Sequence, residues 1–351
     1  ARILTWREDG TARLSDARTG EAALQQPLRH GSPVQGAQFS GDGTRILTWS
    51  GDGKARLWDS RTGEEMLRQP LEHDGPLRGA LFSPDGTRIL TWGENKKAWL
   101  WNARTGEDAI GGFMEHDKTC LGAQFSADGT RILTWSWDGT AHLWDSKTGR
   151  EALSAPLRHD KAVRGAQFSA DGSRILTWSS DGTAWLWDSK SGEAVAPPIR
   201  HTSPIRGAQF GAGVSRVLTW SEGGDARLWD SRTGDAITPP LRGDSPVLGA
   251  RFSGDESRVE TRSKDGSAQA WDIGTDQAWP ADKIVLRVEV QTGTKLTRTG
   301  ELKALEPAEW QRKRWCEYDA VRHDLGRLSK ADWSESERLC RNAGVGARPS
   351  P

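Results

Sequence analysis

Residues 131–172 read RILTWSWDGTAHLWDSKTGREALSAPLRHDKAVRGAQFSADG. Asp-Gly, Thr-Gly and His-Asp turn signals divide this stretch into short apolar or alternating runs, which are typical of strands. Asp and Gly tolerate the positive φ of tight turns, so consecutive runs are predicted to pair antiparallel. Followed to residue 199, one unit has predicted strands at 162–169, 174–179, 183–188 and 193–199.

The same stretch recurs along the chain. Its opening Arg-Ile-Leu, or Arg-Val-Leu or Arg-Val-Glu, stands at Arg2, Arg45, Arg88, Arg131, Arg174, Arg216 and Arg258, which places successive copies 42 or 43 residues apart. A sheet of four short strands cannot bury both faces alone, whereas about seven such sheets around an axis can. The sequence therefore predicts an all-β, seven-bladed β-propeller over residues 1–280.

These units resemble the WD-repeat family, whose units of about 40 to 45 residues carry Gly-His near one end and Trp-Asp at the other. Trp-Asp stands at residues 58–59, 144–145, 187–188, 229–230 and 271–272, with Trp101-Asn102 and Ser15-Asp16 as departures. Arg-His takes the place of Gly-His at His30, His73, His116, His159 and His201. The resemblance extends to the C-terminal propellers of bacterial multidomain signalling proteins.

In that family a buried His, a second-strand Ser or Thr, a turn Asp and the Trp form one hydrogen-bonded network. The resemblance implies this structural role for three complete sets: His30, Thr48, Asp52 and Trp58; His116, Thr134, Asp138 and Trp144; and His159, Thr177, Asp181 and Trp187. Buried polar groups are tolerated only when each finds a partner. The network is incomplete in the remaining blades, which are therefore predicted to be less stable. Asn95 replaces the Asp, Gly224 lies near the matching turn, and Gly243 replaces the His.

A Trp follows the second-strand Thr in six units, at Trp6, Trp49, Trp92, Trp135, Trp178 and Trp220. Side chains alternate along a strand, so this Trp is predicted to face away from the Thr and to wedge between neighbouring blades. The repeated Arg and the Asp of Trp-Asp are expected to form structural ion pairs or to face solvent.

Seven second strands but only six first strands are present, the latter beginning near residues 34, 77, 120, 163, 205 and 247. The missing strand must come from upstream residues or from the tail, where 284–290 reads IVLRVEV. An amphipathic helix near 282 is the alternative. The extension 281–351 is predicted to be mainly helical, with helices at about 306–328 and 331–342.

The composition excludes several classes of protein. The 48 basic residues balance the 48 acidic ones, so the chain has no basic excess of the kind that nucleic-acid-binding proteins carry. We therefore do not expect a nucleic-acid partner. Three cysteines indicate a reducing compartment, and no apolar run or leader suggests a membrane or exported protein, so a cytoplasmic location is expected. The chain begins without Met inside a repeat, and we expect a larger polypeptide with an upstream effector domain.

No catalytic or nucleotide-binding motif is present, and neither enzyme activity nor a cofactor is predicted. The Arg-His histidines recur once per blade, whereas a zinc site needs ligands that converge. Cys316, His323 and Cys340 make a weak metal set, and no metal site is predicted.

The remaining candidate is the rim where first strands begin, which is the usual partner surface of WD-repeat propellers. The variable positions there are Gln35, Arg78, Leu121, Arg164, Arg206 and Leu248. The three arginines suit carboxylate or phosphate, unless they pair with rim acids such as Asp74, Asp117, Asp160 and Asp244. Four off-pattern aromatic residues are further candidates: Trp99, Trp137, Trp185 and Phe113.

Three hypotheses follow. The first is a non-enzymatic interaction or sensor module that binds a protein or peptide through this face. The second is a propeller that binds carbohydrate or another small ligand with exposed Trp at equivalent sites on every blade. The third, a propeller enzyme, is disfavoured by small first-strand residues such as Gly165, Ala166, Gly207 and Ala208.

Overall fold

The computed structural model describes residues 1–273, 294–296 and 302–304. In this part the secondary structure is all β, with seven antiparallel sheets of three or four strands followed by one hairpin. We number the sheets as blades 1 to 7 in chain order. The prediction of a seven-bladed, all-β fold is confirmed.

The first three blades contain eleven strands. Blade 1 is formed by β1 (Arg2–Trp6), β2 (Thr11–Asp16) and β3 (Leu28–Arg29). Blade 2 consists of β4 (Val34–Phe39), β5 (Arg45–Ser50), β6 (Lys54–Asp59) and β7 (Leu71–Glu72). Blade 3 comprises β8 (Leu77–Phe82), β9 (Arg88–Gly93), β10 (Lys97–Asn102) and β11 (Asp108–Glu115).

Fourteen strands make up the other four blades. Blade 4 contains β12 (Cys120–Phe125), β13 (Arg131–Ser136), β14 (Thr140–Asp145) and β15 (Leu157–Arg158). In blade 5 the strands are β16 (Val163–Phe168), β17 (Arg174–Ser179), β18 (Thr183–Asp188) and β19 (Ile199–Arg200). Blade 6 has β20 (Ile205–Phe210), β21 (Arg216–Ser221) and β22 (Ala226–Asp230), and blade 7 has β23 (Val247–Phe252), β24 (Arg258–Ser263) and β25 (Ala268–Asp272).

The fourth strand is shorter than the sequence predicts. In blade 5 it covers only Ile199–Arg200, because Pro197 and Pro198 precede it and lack the N–H that a ladder requires. Prolines stand at the same place in blades 1, 2, 4 and 6, where the described fourth strand is also short or absent. Blade 3 has no proline there, and β11 runs for eight residues.

The cores lie between consecutive blades. Leu47 and Leu57 of blade 2, for example, pack in one cluster with Leu77, Phe82 and Ile89 of blade 3. Because each inner strand is covered on both faces, its Ile, Leu and Thr are buried together, as in the BBB pattern of β5. Stacking of this kind is what allows small sheets to share a continuous core.

The six first strands are β4, β8, β12, β16, β20 and β23, as the sequence analysis predicts. Within the described residues, blade 1 has no first strand, and β1 pairs only with β2. The predicted strand at 284–290 and the helices at 306–328 and 331–342 lie outside the described residues. The described part of the extension forms a hairpin of β26 (Thr294–Leu296) and β27 (Leu302–Ala304), which the sequence analysis did not predict.

We call the face where first strands begin and second strands end the top face. Because the strands are antiparallel, the turns between second and third strands also lie on this face. So do the loops that carry the repeated histidines and precede the first strands. Among the described residues there is no helix with the length and hydropathy needed to cross a membrane.

Candidate functional site

The three predicted networks come together in space. In each blade the His Nε2 lies 2.7 or 2.8 Å from the Thr Oγ1, and the Trp Nε1–H donates to the same oxygen over 2.8 Å. The sets are His30, Thr48, Asp52 and Trp58; His116, Thr134, Asp138 and Trp144; and His159, Thr177, Asp181 and Trp187. The Asp Oδ2 lies 3.2 Å from the His Nδ1 in blades 4 and 5, and 3.7 Å away in blade 2.

This geometry implies one tautomer in blades 4 and 5. An Asp that accepts from Nδ1–H leaves Nε2 as an acceptor for the Thr hydroxyl, which in turn accepts from the indole. Burial raises the pKa of Asp138, but hydrogen bonds from His116 and Thr140 outweigh it and hold that pKa well below its usual value. The ionised carboxylate is therefore fully hydrogen-bonded beside the imidazole, which is a structural arrangement.

Blades 3 and 6 keep more of the network than the sequence analysis predicts. In blade 3, Asn95 Oδ1 still lies 3.4 Å from His73 Nδ1. In blade 6 the prediction of a missing acid is wrong, because buried Asp225 lies 3.5 Å from His201 Nδ1. Asp225 stands where blade 5 has Thr183, two residues beyond the usual Asp.

The repeated second-strand arginine joins adjacent blades. Arg131 Nη1 donates to the carbonyl and hydroxyl of Ser189 (3.1 and 2.9 Å), and Nη2 donates to the Gly172 carbonyl (2.8 Å). Its guanidinium lies 5.4 Å from the ring centroid of Phe168, also in blade 5. The expectation of ion pairs or solvent exposure is wrong for Arg131, because its partners are backbone carbonyls, a hydroxyl and an aromatic ring. It holds for Arg216, which pairs with Glu256 over 3.0 Å.

The Asp of Trp-Asp has a local role. Asp59 Oδ1 accepts from the backbone N–H groups of Arg61 and Thr62, which fixes the turn after the third strand. The same bonds recur at Asp145, Asp188 and Asp230. Two of these carboxylates also lie near an arginine: Asp272 pairs with Arg258 over 2.7 Å, and Asp230 lies 4.0 Å from Arg232.

The second-strand Trp packs between blades, and it also covers its own first strand. Trp49 contacts the cluster shared by blades 2 and 3. Its cross-strand partner is Gly36, where an added Cβ would lie 2.1 Å from the ring. The equivalent Trp92, Trp135, Trp178 and Trp220 are likewise half-buried.

The six predicted rim positions lie at the start of the first strands on the top face. Gln35, Arg78, Arg164, Arg206 and Leu248 are exposed, and Leu121 is half-buried. The residue sixteen positions later lies on the adjoining turn. In chain order these second positions are Gly51, Glu94, Trp137, Ser180, Glu222 and Lys264.

The three rim arginines differ in their partners. Arg78 pairs with Glu94 over 3.0 Å, and Arg164 pairs with Glu222 of the next blade over 2.9 Å. Arg206 forms no hydrogen bond or ion pair with any residue that the structure describes. The acids Asp74, Asp117, Asp160 and Asp244 form none of these pairs. Sequence reasoning missed Glu94 and Glu222, although their fixed offset of sixteen residues is a usable signal.

Blade 4 is apolar where its neighbours are charged. Leu121 takes the place of Arg78, and Trp137 takes the place of Glu94. Trp137 is 55% exposed. The other off-pattern aromatics have partners: Trp99 and Trp185 stack on Trp101 and Trp187, and Lys97 lies over the Phe113 ring.

The described part of the chain shows no cluster of side chains that points to a catalytic or metal site. No group of three or more His, Cys, Asp or Glu residues there could hold a metal ion. Cys316, His323 and Cys340 lie outside it. A polar cavity of about 380 Å³ between blades 5 and 6 opens beside Arg174, Val214 and Asp230. In its wall the backbone N–H and the hydroxyl of Ser173 both donate to Asp171 within one turn, which is a turn-stabilising arrangement.

The family model for the WD domain, G-beta repeat, matches residues 24–59, 109–145 and 153–188. The chain thus carries WD repeats in three places, and its seven antiparallel sheets are consistent with a WD-repeat β-propeller. Its solved structural neighbours include the crystal structure of the computationally designed Ika8 protein, with a TM-score of 0.64 and 22% identity over 77% of this chain and 80% of that one. At this identity the likeness shows the fold alone. Among curated proteins, no sequence matches the propeller.

WD-repeat propellers commonly mediate interactions with protein partners and are generally non-catalytic. The fold therefore directs attention to the top face rather than to a catalytic centre. Since propellers carry many unrelated activities, the choice of partner depends on particular surface residues.

Proposed function

We propose that this propeller is a non-catalytic interaction or sensing module that binds a protein or peptide partner through its top face. The observation that carries the proposal is Trp137, which is 55% exposed at the rim of blade 4. Trp is the residue type most enriched among energetically dominant interface residues. Leu121, at the start of the first strand of the same blade, extends the apolar surface.

The charges around Trp137 define the chemistry of the partner. The Arg78–Glu94 pair lies in blade 3, and the Arg164–Glu222 pair spans blades 5 and 6. Arg206 adds a cation that has no partner among the described residues. These features suit a segment with one large apolar side chain for Trp137 and a carboxylate for Arg206. Gln35 and Leu248 complete the proposed rim.

The carbohydrate alternative requires Trp exposed at equivalent sites on every blade. The repeated Trp side chains in blades 2 to 6 are instead half-buried against first-strand residues, which disfavours that alternative. Trp137 has no equivalent aromatic residue in the other blades. A single asymmetric apolar position is more typical of a macromolecular partner than of a repeated ligand site.

The cellular location and the domain context of the propeller are part of the same proposal. Three cysteines in 351 residues suit a reducing cytoplasm. The resemblance to bacterial multidomain proteins supports a larger polypeptide in which an upstream effector domain carries any activity. The propeller would then act as its recognition or sensing part.

A peptide-display selection against the purified chain tests the top face. Selected peptides should bind the parent and Met66→Ser with equal affinity, because Met66 is an exposed apolar residue between the third and fourth strands of blade 2. Trp137→Ser should weaken binding at least tenfold. Arg206→Ala should weaken it several-fold, with the larger loss at low salt.

Peptides that bind Trp137→Ser as well as the parent would exclude this surface. Simple sugars and anionic ligands should be titrated in parallel while Trp fluorescence is followed. A saturable sugar response that survives Trp137→Ser would favour the carbohydrate alternative instead.

A further inference from the structure

The polar cavity between blades 5 and 6 lies on the face opposite the proposed partner surface. Its volume is about 380 Å³, and its wall includes Arg174, which begins the second strand of blade 5. Residues 213–215, in the turn before the second strand of blade 6, form another part of the wall. This volume falls at the lower end of the range for small-molecule sites.

Arg174 lacks the contacts that its equivalents make. In four blades the second-strand arginine donates from Nη2 to a turn carbonyl of the next blade over 2.8 or 2.9 Å, and its guanidinium lies 5.1–5.7 Å from a Phe ring centroid. These are Arg2, Arg45, Arg88 and Arg131. Arg174 makes one contact of 3.4 Å, from Nη1 to the Ser231 hydroxyl, and it has no ion pair with any residue that the structure describes. Its guanidinium therefore retains unused hydrogen-bond donors in the cavity wall.

Val214 explains why these contacts are lost. In blades 3, 4 and 5 the equivalent turn residue is a Gly with positive φ, and a Cβ there would lie 2.8, 3.8 and 3.4 Å from Nη2 of the preceding blade's arginine. Val214 keeps the positive φ of 61°, which is strained for a β-branched residue, and its side chain packs against the core cluster of blades 5 and 6. The valine side chain thus occupies the space that the guanidinium takes in the other blades.

The same turn leaves a hydroxyl group without its usual acceptor. In blade 5 the Ser173 hydroxyl donates to Asp171 over 2.7 Å, and the equivalent bond is present in blades 2, 3, 4 and 7. Blade 6 has Gly213 in place of that Asp, so the exposed Ser215 hydroxyl has no acceptor among the described residues. Arg174 and Ser215 both line the cavity, where their donors can serve a ligand.

The junction between blades 6 and 7 shows which group can replace the carbonyl contact. The turn of blade 7 has Glu256 at the position of Val214. The Glu256 carboxylate accepts from Arg216 Nη2 over 3.0 Å and from the backbone N–H of Ala212. A carboxylate is therefore the acceptor that this chain itself presents to a second-strand arginine when the Gly is absent.

The charges of the wall favour a single carboxylate over a polyanion. Arg174 and Arg232 are balanced by Asp171 and Asp230. Both aspartates accept hydrogen bonds within their own turns. They would repel a polyphosphate, whereas one carboxylate can pair with the free guanidinium.

We infer that this cavity binds a small organic molecule through one carboxylate group, which accepts from the Arg174 guanidinium and the Ser215 hydroxyl. The site is distinct from the proposed partner surface, because second strands begin on the face opposite the top face. Binding of the carboxylate and binding of a protein partner can therefore be measured separately.

The test is ligand-observed NMR on the full chain with acetate, butyrate, benzoate and phenylacetate, each compared with its primary amide. At least one carboxylate should bind saturably. Its amide should bind about tenfold more weakly, because it keeps the shape but lacks the charge that the guanidinium pairs with. Inorganic phosphate should compete more weakly than that carboxylate. Absence of saturable binding, equal binding of acid and amide, or tighter binding of phosphate would overturn the inference.

Variants locate the bound carboxylate. Arg174→Gln should weaken its binding about tenfold, and Ser215→Ala should weaken it about threefold. Arg68→Gln is the matched control, because it removes the same charge from an exposed position of blade 2 and should leave the affinity unchanged. Equal losses for Arg68→Gln and Arg174→Gln would show a general charge effect and would also overturn the inference.

Val214→Gly tests the cause of the open site. It restores the Gly of the other turns, so Arg174 should move onto the turn carbonyl and the Phe210 ring. The affinity for the carboxylate should then fall about tenfold, while the thermal midpoint of the free chain rises. An unchanged affinity would contradict the proposed role of Val214. If this variant is less stable than the parent, Arg174→Gln still decides, because Arg174 contributes only one long hydrogen bond to the fold.

Discussion

Gly165 lies directly beneath the indole of Trp178, so that a Cβ on Gly165 would come within 2.0 Å of Cζ2. The two residues are cross-strand partners in β16 and β17. The large side chain on one strand is thus accommodated by the absence of a side chain on the other. The pairing explains how a row of Trp can fit in a closely packed ring.

Gly165→Ala should destabilise the propeller, because the added methyl group displaces Trp178. Overpacking of this kind costs about 1–3 kcal/mol, measured here as a lower urea or thermal midpoint. Gly249→Ala is the matched control, since Gly249 lies opposite Arg262 and has no neighbour within 4 Å of an added Cβ. It should leave the midpoint unchanged or slightly raised. Equal losses for the two variants would refute the packing explanation.

Arg131→Ala should weaken the junction between blades 4 and 5. The change removes hydrogen bonds to Ser189 and Gly172 and the contact with Phe168, for an expected loss of about 2–3 kcal/mol. Arg258→Ala removes an exposed pair with Asp272 and should cost less than about 1 kcal/mol. The unfolding midpoints of the two variants should be compared. A larger loss for Arg258→Ala than for Arg131→Ala would contradict the proposed role of Arg131 at the junction.

The repeat spacing is sufficient to predict the blades, because each unit folds from local turns and alternating strands. It predicts a fourth strand that is too long, because proline lacks the N–H needed for the strand pairing that the apolar pattern suggests. The arginine contact is also hidden, because Arg131 and Ser189 are 58 residues apart and meet only through blade stacking. The role of Asp225 is missed because the acid has moved by two positions along its turn. The exposure of Trp137 is a tertiary property that its local sequence does not distinguish from packing between blades.

Asn95→Asp should complete the network of blade 3. A carboxylate near His73 Nδ1 makes a charge-assisted hydrogen bond, which should raise stability at neutral pH by about 1 kcal/mol. Asn102→Asp is the control, because it adds the same charge at an exposed turn cap. A rise in thermal midpoint for Asn95→Asp that exceeds the rise for Asn102→Asp supports the network. The reverse order counts against it.

Acid should destabilise the propeller well before its carboxylates are protonated. Burial lowers the pKa of His30 and of His73 to about 4, against about 6.5 in the unfolded chain. The unfolded state therefore binds more protons between these values, and stability is lost as pH falls from about 6.5 towards 4. Each histidine contributes about 3 kcal/mol to the total loss. Thermal midpoints measured in steps from pH 7.5 to 4.5 should fall continuously.

Variants identify the histidines as the source of that loss. His73→Gln keeps a side chain that can hydrogen-bond Thr91 but cannot be protonated, so its midpoint should be lower at pH 7.5 and should fall less steeply towards pH 4.5. Asn95→Asp should also reduce the slope, because a carboxylate beside His73 raises the pKa of the imidazole in the folded state. Carboxylates such as Asp42, whose pKa hydrogen bonds from Ser40 and Thr44 lower to about 2, lose their contribution only below about pH 4. An unchanged slope in both variants would assign the acid sensitivity to other groups.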